Sequence, residues 1–241
     1  MAIGSIDNTG FNESNIISNS PGSMAIGYIK NTAKNSGASI SATGLGSFAS
    51  GYAFVETGSG TKKYHNVIAN GDGSHAEGSG TYAGATGAHA EGIDTSALGQ
   101  GSHAEGNLTT AAIMYSHAEG NRTYAGATGA HAEGCDTSAL GKQAHAEGYR
   151  IIASGYCSHV EGEYNYTDSS RAHVNGSRNC VINANESHAS GYMNVIAGSR
   201  AFIEGNRNVA YFARDAHVEG SQDTSVFFID NISTNITTTS F

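Results

Sequence analysis

Eight histidines occupy a single register: His75, His89, His103, His117, His131, His145, His159 and His173, each 14 residues after the one before. Glutamate follows two positions behind seven of them, at Glu77, Glu91, Glu105, Glu119, Glu133, Glu147 and Glu161. Imidazole changes charge near neutral pH, and its neutral form ligates metals. A carboxylate beside it can hold the protonated ring, share a metal, or orient the ring for proton transfer. Acid–base catalysis depends on one pair set apart from all others by its surroundings. A pair copied seven times in one context lacks that distinction, so no catalytic residue is assigned and an enzyme is not expected. Ion pairing in a periodic ladder is the reading the pattern favours, with metal capture as the alternative.

The residues between these side chains decide which elements position them. A period of 14 equals two heptads, yet a glycine closes every unit: Gly78, Gly92, Gly106, Gly120, Gly134, Gly148 and Gly162. Each would cost a helix about 1 kcal/mol relative to alanine, which excludes a coiled coil. In a strand, alternate side chains point to opposite faces. Histidine and glutamate then share one face, and alanine and glycine share the other. Alanine also recurs eight residues after six of the histidines, at Ala83, Ala97, Ala111, Ala125, Ala139 and Ala153, marking a second short strand. Two strands per 14 residues make one coil of a narrow all-β solenoid. Its thin interior admits alanine, glycine, serine and an occasional valine. So small an interior buries little apolar surface. Stability must come from hydrogen bonds between coils about 4.8 Å apart and from covering the outer face.

The segment Ser23-Met24-Ala25-Ile26-Gly27 resembles the Ser-Val-Ala-Ile-Gly coil of trimeric autotransporter adhesin heads (YadA-like). Ser74-His75-Ala76-Glu77-Gly78 fits the same frame with His and Glu in place of two apolar residues. The resemblance spans residues 23–220. It implies a left-handed parallel β-roll (solenoid) of 14-residue coils, homotrimeric. In that family alanine and glycine line each coil, and the alternating residues meet across the trimer interface. Carried over, the interface ladder is His75, Glu77, His89, Glu91, His103, Glu105, His117, Glu119, His131, Glu133, His145, Glu147, His159, Glu161 and His173. No cofactor is expected; an axial metal ion or anion is the alternative, with His75, His89 and His103 as the ligands of a metal. His-Ala-Glu-Gly coils also resemble repeats of bacteriophage tail and fibre proteins. Resemblance of this kind is specific for architecture and poor for function.

The remainder of the chain sets the boundaries. Its 241 residues are 14% charged with a formal net charge of −9, as for a soluble, mildly acidic protein, which argues against nucleic acid as a partner. Residues 1–22 read as a polar N-terminal segment or cap, without the basic start and apolar run of a signal peptide and without a membrane span. Residues 23–220 form the repeat domain, with regular coils over 74–173. Irregular coils come first, and Phe48 stands in the histidine place. The stretch from Thr57 to Asn66 breaks register and predicts a projecting loop, whose Lys62, Lys63, Tyr64 and His65 are candidate receptor contacts. Thr81 to Gly92 recurs identically at Thr123 to Gly134, a sign of growth by copying coils. Beyond His173 the spacing loosens to 15 at His188, and Val174, Val195, Ile196, Ile203 and Val218 add apolar bulk, so the roll is expected to widen or approach its cap. Residues 221–241, containing Val226-Phe227-Phe228-Ile229, read as a cap or trimer-closing segment over an otherwise open edge. Cys135, Cys157 and Cys180 fall at different coil positions and are expected to be free thiols. Tyr82, Tyr115, Tyr124, Tyr149, Tyr156, Tyr164 and Tyr166 read as surface strand formers, with glycan stacking as the alternative.

These features point to a homotrimeric rod or head in a fibre, attaching to a host surface glycan or protein. The lack of a signal, a heptad stalk and a membrane anchor departs from the autotransporter pattern. It favours a component of a phage or virus-like particle, assembled in the cytoplasm and acting in the virion outside the cell. The alternatives are a bacterial adhesin head fragment at the cell surface and a self-assembling spacer without a ligand.

Overall fold

The computed structural model describes residues 1–8, 14–31, 37–57, 62–211, 214–221 and 225–227. They form an all-β parallel β-solenoid, with no helix among the described residues. The chain divides into two compact units, Met1–Arg122 and Thr123–Phe241, each contributing strands to two sheets. In the first unit, one sheet runs Ala2–Asn8, Met24–Asn31, Phe48–Thr57, His75–Ser79, His89–Ile93, His103–Asn107, His117–Asn121. The other runs Asn15–Ser18, Ser39–Ala42, Val67–Ala69, Tyr82–Ala83, Ser96–Ala97, Thr110–Ala111. In the second unit, His131–Cys135 begins the first sheet, which continues through His145–Tyr149, His159–Glu163, His173–Ser177, His188–Tyr192 and Phe202–Asn206 to His217–Ser221.

Register follows from the repeat. His89 pairs with His75 and His103, Ala90 with Ala76 and Ala104, and Glu91 with Glu77 and Glu105. Slipping the register by one residue would turn every alanine outward, so the alternation fixes it. Both alanine columns are buried completely, including Ala76, Ala90 and Ala104 in one sheet and Ala83, Ala97 and Ala111 in the other. The interior is less restricted than the sequence suggests, because Ile29, Ile40, Ile151, Ile196 and Ile203 are also fully buried. Glycine opposite makes the room: a Cβ at Gly27 would lie 2.6 Å from Ile40 Cδ1.

The glycine that closes each His-Ala-Glu-Gly unit is fixed by the next coil. Gly78, Gly92 and Gly106 are half-buried and hold φ near +115°, at 118°, 116° and 112°. They are pressed against the neighbouring coil. A Cβ on Gly92 would sit 2.0 Å from the Gly106 carbonyl oxygen.

A third buried column was not anticipated. Three residues after the closing glycine stands threonine in the early coils (Thr81, Thr95, Thr109) and asparagine in the later ones (Asn165, Asn179, Asn194, Asn208). The threonine hydroxyls have no hydrogen-bond partner among the described residues. The asparagines form a ladder. Asn179 Nδ2 donates to the carbonyls of Asn175 at 2.7 Å and Gly191 at 2.9 Å, and its Oδ1 accepts from the Asn194 backbone N–H at 2.8 Å. Each amide thus stitches one coil to the next within the buried interior, where such bonds matter most.

Three boundaries differ from the sequence reading. Ala2–Asn8 lies in the sheet beside Met24–Asn31, with Ala2 on Ala25 and Gly4 on Gly27, so the strands start inside the segment read as a polar cap. The stretch read as a loop is a β-hairpin: the long strand Phe48–Thr57 pairs antiparallel with Lys62–His65, and residues 58–61 lie outside the described residues. Past His173 the roll keeps its register instead of widening, with His173 on His188 and Val174 on Ala189. The added residue is absorbed at a corner, where Asn183 and Glu186 adopt φ of 51° and 62°. Of the expected C-terminal cap, Ser225–Phe227 forms a strand beside Val209–Tyr211, while residues 222–224 and 228–241 lie outside the described residues. The three cysteines are free.

Candidate functional site

Strand alternation puts each histidine and the glutamate two residues later on the outer face, and parallel stacking aligns them coil on coil. In the first unit the imidazoles of His75, His89, His103 and His117 follow one another at 4.7 Å between ring centroids, tilted by 18–26°, and Phe48 packs edge-on against His75 at 4.8 Å. In the second unit His131, His145, His159, His173 and His188 continue at 4.7–5.0 Å with tilts from 16° to 85°. Phe202 lies flat on His188 at 4.8 Å, so an aromatic ring holds the column where histidine is absent. The spacing is that of neighbouring strands, so the backbone sets it.

Glutamate pairs with its own histidine. Nε2 to Oε distances are 3.2 Å for His75–Glu77, 3.6 Å for His89–Glu91, His103–Glu105 and His145–Glu147, and 3.8 Å for His117–Glu119. Glu161 instead faces His173 of the following coil at 3.6 Å. The contact at 3.2 Å is a hydrogen bond; those at 3.6–3.8 Å are too long for one and become charge pairs only when the ring is protonated. Stacking explains the gap: neighbouring rings cover the Nε2 atoms of His89, His103, His145 and His159. The histidine side chains in this series keep 34–43% of their surface exposed and the glutamates 42–51%. In a single chain the row is therefore a half-open face.

Burial and mutual repulsion act against protonation at three of the rings. His89, His159 and His188 titrate below the ordinary 6.5, first because burial disfavours the charged ring and next because neighbouring histidines repel it; nearby glutamates oppose both only in part. The unfolded chain retains the ordinary value, so below pH 6.5 it binds protons that the folded chain refuses. Stability is lost as pH falls through this window and levels off once the folded rings are protonated too. Thermal unfolding followed by circular dichroism is expected to give a lower midpoint at pH 5.5 than at pH 8, with a smaller drop in a His89→Gln/His159→Gln variant. Equal midpoints at the two pH values would refute this.

Of the four candidate receptor contacts, His65 is buried and Lys63 is paired with an acid. His65 is 4% exposed; its Nδ1 lies 2.7 Å from Asp94 Oδ1, its Nε2 3.4 Å from Glu56 Oε2, and its ring stacks on Phe54 at 4.2 Å. Lys63 Nζ contacts the same Asp94 at 2.6 Å. Lys62 and Tyr64 are exposed on the hairpin. Among the tyrosines, Tyr149 and Tyr164 have guanidinium groups over their rings: Arg150 lies 5.2 and 5.4 Å from their centroids, and Arg178 lies 5.6 Å from Tyr164 and 5.9 Å from Tyr192. Rings engaged in this way already have a cationic partner.

A scan against protein-family models and a search of curated proteins both find no match.

Proposed function

We propose that this chain is a structural fibre or head protein of a phage or virus-like particle, a left-handed β-roll assembling as a homotrimer through its histidine and glutamate face and attaching to a host surface or glycan. The observation that carries this reading is the half-open ladder itself, a regular face of stacked rings and carboxylates running along a solenoid whose interior is mostly alanine. A thin interior leaves much of the stabilisation to the outer face, and like faces from sister chains would cover one another. The reading is non-catalytic because the same pair recurs in coil after coil. A spacer without a ligand is the second reading, and the engagement of His65 and Lys63 with Asp94 favours it at the hairpin.

Sedimentation at neutral pH is expected to show a species of three times the 24.7 kDa chain mass. Glu105→Lys with Glu119→Lys is expected to shift it to monomer while the strand spectrum is retained, since both carboxylates point outward. A wild-type chain that sediments as monomer at micromolar concentration rules out the trimer. Binding on a glycan array or to host cells separates the attachment role from the spacer.

A further inference from the structure

We propose that His145, Glu147 and His159 form a site for one divalent transition-metal ion of the zinc class, built within a single chain. Each offers one ligand atom, and the three atoms lie within 4.8 Å of one another. Two imidazole nitrogens and a carboxylate oxygen are a donor set suited to Zn2+, Cu2+, Ni2+ or Co2+. Tetrahedral zinc bonds of about 2.1 Å set ligand atoms about 3.4 Å apart, so these atoms need to close by up to about 1.4 Å, within reach of side-chain rotations on the half-open face of the single chain. A fourth position remains for water.

What marks this pair of coils is that one carboxylate oxygen and two ring nitrogens come within 4.8 Å of one another. Other neighbouring imidazoles range from nearly parallel, as in His159–His173 at 16°, to steeply tilted, as in His131–His145 at 56°. His145 and His159 are tilted by 39° at a 4.7 Å centroid distance. Their Nε2 atoms are covered, and neither has a hydrogen-bond partner among the described residues; His145 Nε2 stops 3.6 Å short of Glu147 Oε2. Metal coordination would supply what these nitrogens lack. On the far side, Glu161 is engaged with His173, and Asn175 replaces glutamate after it, so no carboxylate follows to repeat the site there.

The test is zinc binding to the untagged full chain at pH 7.5 by equilibrium dialysis and calorimetry, with Co2+ absorption as a readout of ligand geometry. Glu147→Gln and His159→Gln are each expected to remove one equivalent of zinc per chain, or weaken that step by more than about tenfold, and to abolish the corresponding cobalt band. His89→Gln is expected to leave that equivalent intact. Circular dichroism checks that each variant keeps its strands. Glu147 is exposed, so its variant remains informative if His159→Gln fails to fold. No zinc bound by the wild type, unchanged binding in Glu147→Gln, or an equal loss in His89→Gln would each overturn the site.

Discussion

Gly92→Ala is expected to destabilise the chain by more than about 3 kcal/mol, enough to abolish folding in a marginal host. Two effects combine at this position. The φ of 116° is one that side chains rarely adopt, and the new methyl group would meet the Gly106 carbonyl oxygen at 2.0 Å. Neither can relax cheaply, because the contact is with backbone that is itself fixed by the next coil. Gly87→Ala provides the control. Gly87 also has a positive φ, 66°, but nothing lies within 4 Å of its added Cβ, so the cost is the left-handed penalty of about 1–2 kcal/mol. Urea unfolding of the two variants measures the difference. Equal losses would show that close approach between coils does not constrain the glycine column.

The second large effect is expected at Asn179. Asn179→Ala deletes two donated bonds and one accepted bond and strands the Asn175 and Gly191 carbonyls and the Asn194 N–H inside the solenoid. At about 1 kcal/mol for each group left without a partner, the loss is about 3 kcal/mol. The reciprocal change is expected to help. Thr95→Asn places an amide where the Glu91 and Gly106 carbonyls stand in the positions that the Asn175 and Gly191 carbonyls occupy around Asn179, and a gain of about 1 kcal/mol is expected. An Asn179→Ala variant that unfolds at the same urea concentration as the wild type would mean the ladder is ornamental to stability.

The strand positions were legible because period 14 and alternation at His-Ala-Glu-Gly leave one arrangement that buries alanine and exposes histidine. The first coil was legible too, had Met1-Ala2-Ile3-Gly4 been set against Met24-Ala25-Ile26-Gly27; a spacing of 23 instead of 14 hid it. The hairpin at Lys62–His65 was not readable, since its antiparallel pairing depends on Phe54 finding His65 and on Asp94 arriving from another coil. The asparagine ladder had a plain signal in Gly-x-x-Asn at Gly162, Gly176, Gly191 and Gly205, masked by the equivalent Gly-x-x-Thr upstream. At the histidine row, identity and spacing were given by the sequence, whereas ring tilt was not. Tilt varies from 16° to 85° along coils of nearly identical sequence, so it arises from side-chain packing that no repeat pattern encodes.

Corner absorption of the surplus residue between His173 and His188 has an evolutionary reading. Within either unit, length is added in notches, because a duplicated block meets its neighbours through the same backbone contacts as the block it was copied from. A stray insertion is shunted to the bend and leaves the stacked columns in phase. Reach can therefore be adjusted by replication slippage alone, with no new packing problem to solve at each step.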